Sequence, residues 1–507
     1  MARKRSSRRR RVAPDTAVEQ APWRKLTNPF PPFALLSEDQ VDAIHEASMR
    51  VLEDHGIEFR SRAALETLEQ AGANIDYDTQ MARFDRNVVT ELVARAPSEF
   101  ELHARNPQHS VRIGGRHLCF DSVGGPPNSA DLEQGRRMGT FDEFCRFIKL
   151  VQSLNVMHLI GGWPIAPTDL DVETRHLDCG LALIRLTDKV WHTSAIGAER
   201  VLDSVEMLRI THGLSAADVE ATPVTYSVIN VNSPRRFDEA MCEGLMALAN
   251  LGQANCVTPF TLCGAMSPIT VAGALAQQNA EALAGIALAQ AVRPGAPVIY
   301  GGFTSNVDMK TGSPAFGTPE YTQACLAGGQ LARRYGLPYR SSNTNASNAV
   351  DAQATYESAM SIWGSVLGHC NVLHHAAGWL EGGLTASFEK AIIDAEMLQM
   401  MAAFLQPLVV DDQTLAVDAI GSVEPGGHFF GAEHTLDRYQ DAFYKPLISD
   451  WRNFETWSED GADDATSRAS RVCKTLLQNY EPPTLDADVN IALEAFVARR
   501  RSEIAGK

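Results

Sequence analysis

Short β-rich runs recur along most of this chain, and their spacing limits the folds open to it more than any other feature does. They read HLCFDSV near 117, VMHLIGG near 156, VWHTSAI near 190, VTYSVIN near 224, CVTPFTL near 256, PVIYGGF near 297, PYRSSN near 338 and NVLHHAAG near 371. Amphipathic helical stretches separate them. A spacing of roughly 32 to 41 residues suits a strand–helix unit with loop insertions, and eight such units make a (β/α)8 TIM barrel. The competing α/β solution is an open doubly wound sheet, but no strand here opens a GxGxxG turn.

The barrel is expected over 115–405. Before it, residues 30–114 read as a helical region, beginning with a capping box made by Ser37 and Gln40. Further helix starts are legible at Thr140 with Glu143, at Ser233 before Pro234 and at Thr318 before Pro319. Residues 406–507 form a C-terminal extension expected to pack on the barrel. Residues 1–29 are expected to be a disordered basic tail.

Charge and cysteine content exclude several functions. The net charge is −17, and because MARKRSSRRRR carries seven positive charges, residues 12–507 sum to −24. A body this acidic is a poor nucleic-acid binder. No apolar run approaches the roughly 20 residues of a membrane span, and the tail lacks the apolar region of an export signal. Nine cysteines without a CxxC pair argue against a zinc ribbon or a disulfide framework and fit a reducing cytoplasm.

In a barrel the C-terminal strand ends build the active face. Here they carry Asp121, then Trp163, then His192, then Asn230, then Thr261 and Cys263, then Tyr300 and Phe303, then Arg340 and Asn343, then His375, Trp379 and Glu381. Such a ring is aromatic and hydrogen-bonding rather than rich in carboxylates. It suits a cationic or apolar small ligand better than a phosphate. The candidate ligand set is Trp163, His192, Asn230, Tyr300, Phe303, Arg340, Asn343, His375, Trp379 and Glu381. No catalytic nucleophile or base stands out. His374 and His375 alternate along a strand, so only one is expected to face the cavity; His375 is assigned there and His374 to structural packing. With few carboxylates and no HxH pair in the first strand, no tightly bound metal is expected.

Three stretches carry a wider resemblance: GGFTSNVDMKTGSPAFGTPEY at 301–321, VDAQATYESAMS at 350–361 and EPGGHFFGAEHTLDRY at 424–439. Through them the chain, from about residue 30 to its C-terminus, resembles the trimethylamine methyltransferase family. The resemblance implies a barrel, a methylated amine as methyl donor and a corrinoid, carried by a separate partner protein, as methyl acceptor. The archetypal trimethylamine enzymes carry pyrrolysine in the barrel; the comparable segment here, PYRSSNTNASNAVDAQA around Asn343, holds ordinary residues. Pyrrolysine-free members resemble glycine betaine methyltransferases and their relatives for other quaternary amines. Methyl transfer from a quaternary ammonium to Co(I) needs no proton donor at nitrogen, so the enzyme's task reduces to positioning, desolvation and charge recognition. Aromatic faces at Trp163, Tyr300, Phe303 and Trp379 would hold the cation, and Arg340, His375 and Asn230 would hold a betaine carboxylate. A homo-oligomer is expected. The alternatives are a trimethylamine-specific enzyme, a metal-dependent barrel hydrolase and a non-catalytic quaternary-amine binding protein.

Overall fold

The computed structural model describes residues 18–506. Its fold is mixed α/β around a curled parallel sheet. The strands that matter here are β1 (His117–Phe120), β2 (Leu159–Ile160), β3 (Val190–Trp191), β4 (Tyr226–Val231), β5 (Ala254–Cys263), β6 (Val298–Gly301), β7 (Tyr339–Ser342) and β8 (Val372–His374). Six of them pair in parallel in the order β4-β5-β6-β7-β8-β1. The short strands β2 and β3 pair with each other in parallel. Single parallel bridges, Asp121 to Leu159 and His192 to Tyr226, tie that pair to β1 and β4.

After each strand comes a helix: α1 (Phe141–Ser153), α2 (Arg175–Leu186), α3 (Ala198–His212), α4 (Glu239–Asn250), α5 (Val271–Val292), α6 (Pro319–Arg334), α7 (Ala352–Leu367) and α8 (Phe388–Phe404). Helix α5 is alanine-rich and buried over most of its length, because helices at Glu38–Arg50 and Arg86–Val93 lie across it. A helix covered on every side has no polar face to show.

The concave side of the sheet is filled by inward residues of successive strands, among them Cys119, Leu159, Val190, Tyr226, Ile299 and Val372. A hairpin, Glu99–Leu102 with Val111–Gly114, adds Leu102, Val111 and Ile113 to the same cluster. The N-terminal ends of the strands are thereby plugged, and the C-terminal ends are left to shape a cavity.

Several expectations need correction. Residues 30–114 hold three helices, but strands at Ile57–Phe59, Asn74–Asp76 and Met81–Arg83 lie between them. Of the tail 1–29, residues 1–17 lie outside the described residues; Leu26–Thr27 pairs antiparallel with β1, and Trp23 packs against the rings of His109 and His158. The Ser37 capping box and the Thr318–Pro319 start are present. Ser233 starts no helix, since Asp238 caps α4 instead. Thr140 caps α1, but Glu143 turns to Ser129 and Arg137 rather than back to the cap. Among the described residues, no helix is long and apolar enough to cross a membrane.

The plugged end holds a buried imidazole with a measurable consequence. His158 accepts the Phe120 N–H at Nδ1 (3.1 Å), and its Nε2–H faces the Arg24 carbonyl at 3.0 Å. Burial, with nearby Lys189 and His109 adding to it, pushes the ring down to about 4 from the usual 6.5. Between those two values the unfolded chain binds a proton that the folded chain refuses, so stability falls as pH drops from about 6.5 to about 4 and falls no further from this group below that. One such side chain accounts for about 3 kcal/mol. Denaturant unfolding at pH 7, 5 and 4 checks this: His158→Gln is expected to be less stable at pH 7 and to show a shallower loss toward pH 4.

Candidate active site

At the C-terminal edge of the strands lies a cavity of about 410 Å³. Its floor is built by β7 and β8. Along β8, Val372 points into the concave core, so His374 does too by the two-residue period. The strand then ends, and His375 adopts φ +54°, a left-handed turn that swings its ring into the cavity as well. The assignment of His374 to structural packing is therefore corrected: both histidines line the cavity, with ring centroids 4.0 Å apart. Strict alternation fails here because the strand stops between them.

His374 is held from behind. Its Nδ1 donates to Asp121 Oδ2, and the Tyr226 hydroxyl donates to the same oxygen. Asp121 is fully buried and its other oxygen, Oδ1, has no partner among the described residues. Burial and Asp121 both push the Tyr226 phenol well above its usual range. Burial lowers all three cavity imidazoles: His192 to about 4, with His374 beside it adding to the effect; His374 against the opposing pull of Asp121; and His375 well down, helped by His374 and Arg340. Neutral rings therefore line the cavity near pH 7.

Arg340, the second residue of β7, is 2% exposed and lines the cavity. Its Nη1 reaches only the Gly302 carbonyl, at 3.4 Å, and its Nε has no partner among the described residues. No carboxylate of the described residues forms an ion pair with it. The guanidinium instead sits 5.4 Å from the Phe303 ring centroid. Leaving a buried charge without an ionic partner costs several kcal/mol.

Against these polar groups packs an aromatic cluster. Phe303 contacts Phe260, Phe316 and Trp379 at centroid distances of 5.1, 5.5 and 6.1 Å, and Trp379 lies 4.3 Å from His375. The Trp379 indole is fixed by donating Nε1–H to the Asn345 carbonyl at 3.0 Å.

Of the ten residues expected at the site, Trp163, His192, Asn230, Phe303, Arg340, His375 and Trp379 line this cavity. Three do not. Tyr300 points outward from β6, its hydroxyl bonded to Asn279 on α5 at 3.0 Å. Asn343 is buried behind the wall, where its side-chain amide donates to the Ala376 carbonyl. Glu381 is engaged by Arg136 at 2.8 Å and by Thr385; against the cost of partial burial, these hydrogen bonds hold its carboxyl below the usual range. Trp163 faces the cavity with the Arg175 guanidinium over its ring at 5.0 Å. Phe260 and Phe316 are cavity residues that sequence reasoning misses; Phe260 lies within β5, where inward alternation could have found it, whereas Phe316 arrives from a loop.

Across the whole chain the sequence answers to one profile: residues 1–505 match the family described as Trimethylamine methyltransferase (MTTB). The chain belongs to the trimethylamine methyltransferase family. This family member is a methyltransferase. Glycine betaine methyltransferase of Desulfitobacterium hafniense is 39% identical over 476 residues, covering 94% of this chain and 98% of the relative. Trimethylamine methyltransferase MttB of Desulfitobacterium hafniense is 28% identical, covering 93% and 95%. Among solved structures, the Methanosarcina barkeri monomethylamine methyltransferase (MtmB) matches with a TM-score of 0.53 at 9% identity, over 89% of this chain and 90% of that one, a likeness of fold alone.

Proposed function

We propose that this methyltransferase takes a methyl group from a betaine, a quaternary amine that also carries a carboxylate, and passes it to the corrinoid of a partner protein. The observation that carries the reading is Arg340: a buried guanidinium with no ionic partner among the described residues is a ready seat for a ligand's carboxylate. The rings of Phe260, Phe303, Phe316 and Trp379 supply quadrupole faces for the trimethylammonium end, each worth about 0.5–2 kcal/mol. His375, neutral and with Nδ1 unpartnered, is placed to complete the polar half. The similarity to a glycine betaine methyltransferase supports the same substrate class.

The corrinoid supplies the nucleophile that accepts the methyl group. This chain's contribution is to hold the zwitterion by its two ends and to exclude water from the departing methyl. Trimethylamine offers no anion to Arg340. We also infer that the sheet closes as an eight-stranded barrel, a reading supported by the two bridges at Asp121 and His192. All nine cysteines are unpaired, in keeping with a reducing cytoplasm.

The test is a substrate panel with reduced cobalamin, following the conversion of Co(I) to methyl-Co(III) spectroscopically. Betaines are expected to turn over, tetramethylammonium weakly and trimethylamine not at all. Trimethylamine turning over as fast as every betaine would overturn the reading.

A further inference from the structure

Behind the cavity wall two opposite charges are sealed in the protein interior. Lys390 and Asp394 stand one turn apart on α8, their side chains paired and fully buried. Neither lines the cavity. The Lys390 ammonium also donates to the Ser358 hydroxyl of α7 at 2.9 Å, and the second Asp394 oxygen accepts the Gly378 N–H, again at 2.9 Å.

Such a pair adds little to stability. Taking both charges out of water costs about what their attraction returns, and apolar side chains of equal volume often serve a fold as well or better. The rest of α8 is largely apolar, with Ala391, Ile392, Ala395 and Leu398 all buried. What the pair supplies lies at Gly378, where its chain of bonds ends.

Gly378 belongs to the turn that carries β8 into the cavity wall. His375 at φ +54° and Gly378 at φ +99° are both left-handed. Left-handed backbone at a residue other than glycine persists only where the surroundings over-determine it. Here three side chains grip the turn. Asn343 donates to the Ala376 carbonyl at 2.9 Å, Asp394 takes the Gly378 N–H, and the Asn345 amide donates to the Trp379 carbonyl at 2.7 Å. Asn343 and Asn345 come from the neighbouring strand exit after β7. Of the three, Asp394 alone reaches the turn from the helix layer, and it alone brings a charge, which makes its hydrogen bond the strongest. The turn is also packed from behind, since a Cβ at Gly378 would meet the Phe147 ring at 2.6 Å. His375 and Trp379, which flank Gly378, both face the cavity, so a shift of that backbone moves both rings.

We propose that Asp394, held by Lys390, is a positioning residue for methyl transfer: through the Gly378 N–H it sets the turn that aims His375 and Trp379 at the bound quaternary amine. The role rests on the betaine reading of the cavity, and Asp394 itself touches no substrate. A transfer that depends on alignment is sensitive to small displacements, and one of about 1 Å costs about a hundredfold in rate.

Two double variants separate alignment from packing. Lys390→Met/Asp394→Asn removes both charges and keeps an oxygen for the Gly378 N–H, whereas Lys390→Met/Asp394→Leu removes the acceptor as well. In protein labelled with 5-fluorotryptophan, the Trp379 line among the seven tryptophans is assigned by its absence in Trp379→Phe. The leucine pair should stay folded, with a melting temperature close to native, because losing a buried charge pair offsets one stranded N–H. It should shift or split the Trp379 fluorine line and leave the other lines in place. Its kcat for glycine betaine with reduced cobalamin should fall about 10- to 100-fold, with a smaller change in KM. The asparagine pair should restore the native line and bring kcat to within about threefold of native. Lys390→Met/Asp394→Val withdraws the same acceptor with less bulk and stands in if the leucine pair does not fold. A native Trp379 line in the leucine pair would overturn the proposal, as would a displaced line with native kcat. Equal losses in the leucine and asparagine pairs would assign Lys390 and Asp394 to packing instead. If the native protein demethylates no betaine, the substrate reading falls, while the fluorine lines, which need no substrate, still decide whether Asp394 sets the turn.

Discussion

Arg340→Met is expected to cut kcat/KM for a betaine by about 30-fold to several thousand-fold, the equivalent of 2–5 kcal/mol, while the protein itself becomes more stable. The two effects have one cause. The guanidinium is 2% exposed and meets no carboxylate of the described residues, so the fold carries the desolvation of a charge it does not use. Methionine has a similar reach, keeps contact with Phe303 and needs no solvation. Replacing a poorly compensated buried charge by an apolar side chain is worth about 1–4 kcal/mol. Tetramethylammonium, which has no carboxylate and is relieved of a neighbouring positive charge, should bind the variant at least as tightly as the parent. Calorimetric titration with both ligands and a thermal melt read all three outcomes. A variant that melts earlier and binds both ligands equally poorly would mean that Arg340 supports the wall and takes no part in recognition.

Much of this molecule is legible in its sequence, and the parts that are not have identifiable physical causes. The eight strand-like runs are present because a strand–helix rhythm is a local property, written in alternating apolar stretches and helix caps such as Ser37 and Thr318. Arg340, Phe303 and Trp379 are reachable by counting to the ends of those runs. Tyr300 fails the same count because it lies an odd number of residues from Phe303: inward Ile299 sets a phase that reaches Phe303, and Tyr300 falls on the helix-facing side. His374 and His375 cannot be assigned by alternation at all, since a positive φ at His375 lies between a strand and its loop and leaves no mark in residue type. Glu381 looks like a free carboxylate until Arg136, 245 positions away in sequence, is seen to reach it. The exposed segment at 406–447 is illegible for the opposite reason. Its apolar residues look like core in the sequence, and only the fold reveals that this chain does not cover them.

Two buried donors end on one carboxylate behind His374, and those hydrogen bonds give Asp121 the second large effect. Asp121→Leu strips the acceptor from two buried donors, the Tyr226 hydroxyl and the His374 Nδ1–H. Each stranded donor costs about 1–3 kcal/mol, so a loss of about 2–6 kcal/mol is expected. Asp121→Asn behaves differently. The amide oxygen still accepts from both groups, so the stability loss should stay near about 1–2 kcal/mol, the difference between a charge-assisted bond and a neutral one. The charge lining the cavity, however, rises by one. Tetramethylammonium affinity should therefore fall in Asp121→Asn, whereas the affinity of a betaine, whose carboxylate gains what its ammonium loses, should change far less. Chemical denaturation orders the variants and titration with the two ligands separates them. Equal destabilisation by Asn and Leu would assign the role of Asp121 to its charge alone. Parallel loss of both ligands would mean that the two ends of the cavity do not act as a matched pair, and that Asp121 serves only to hold His374 in place.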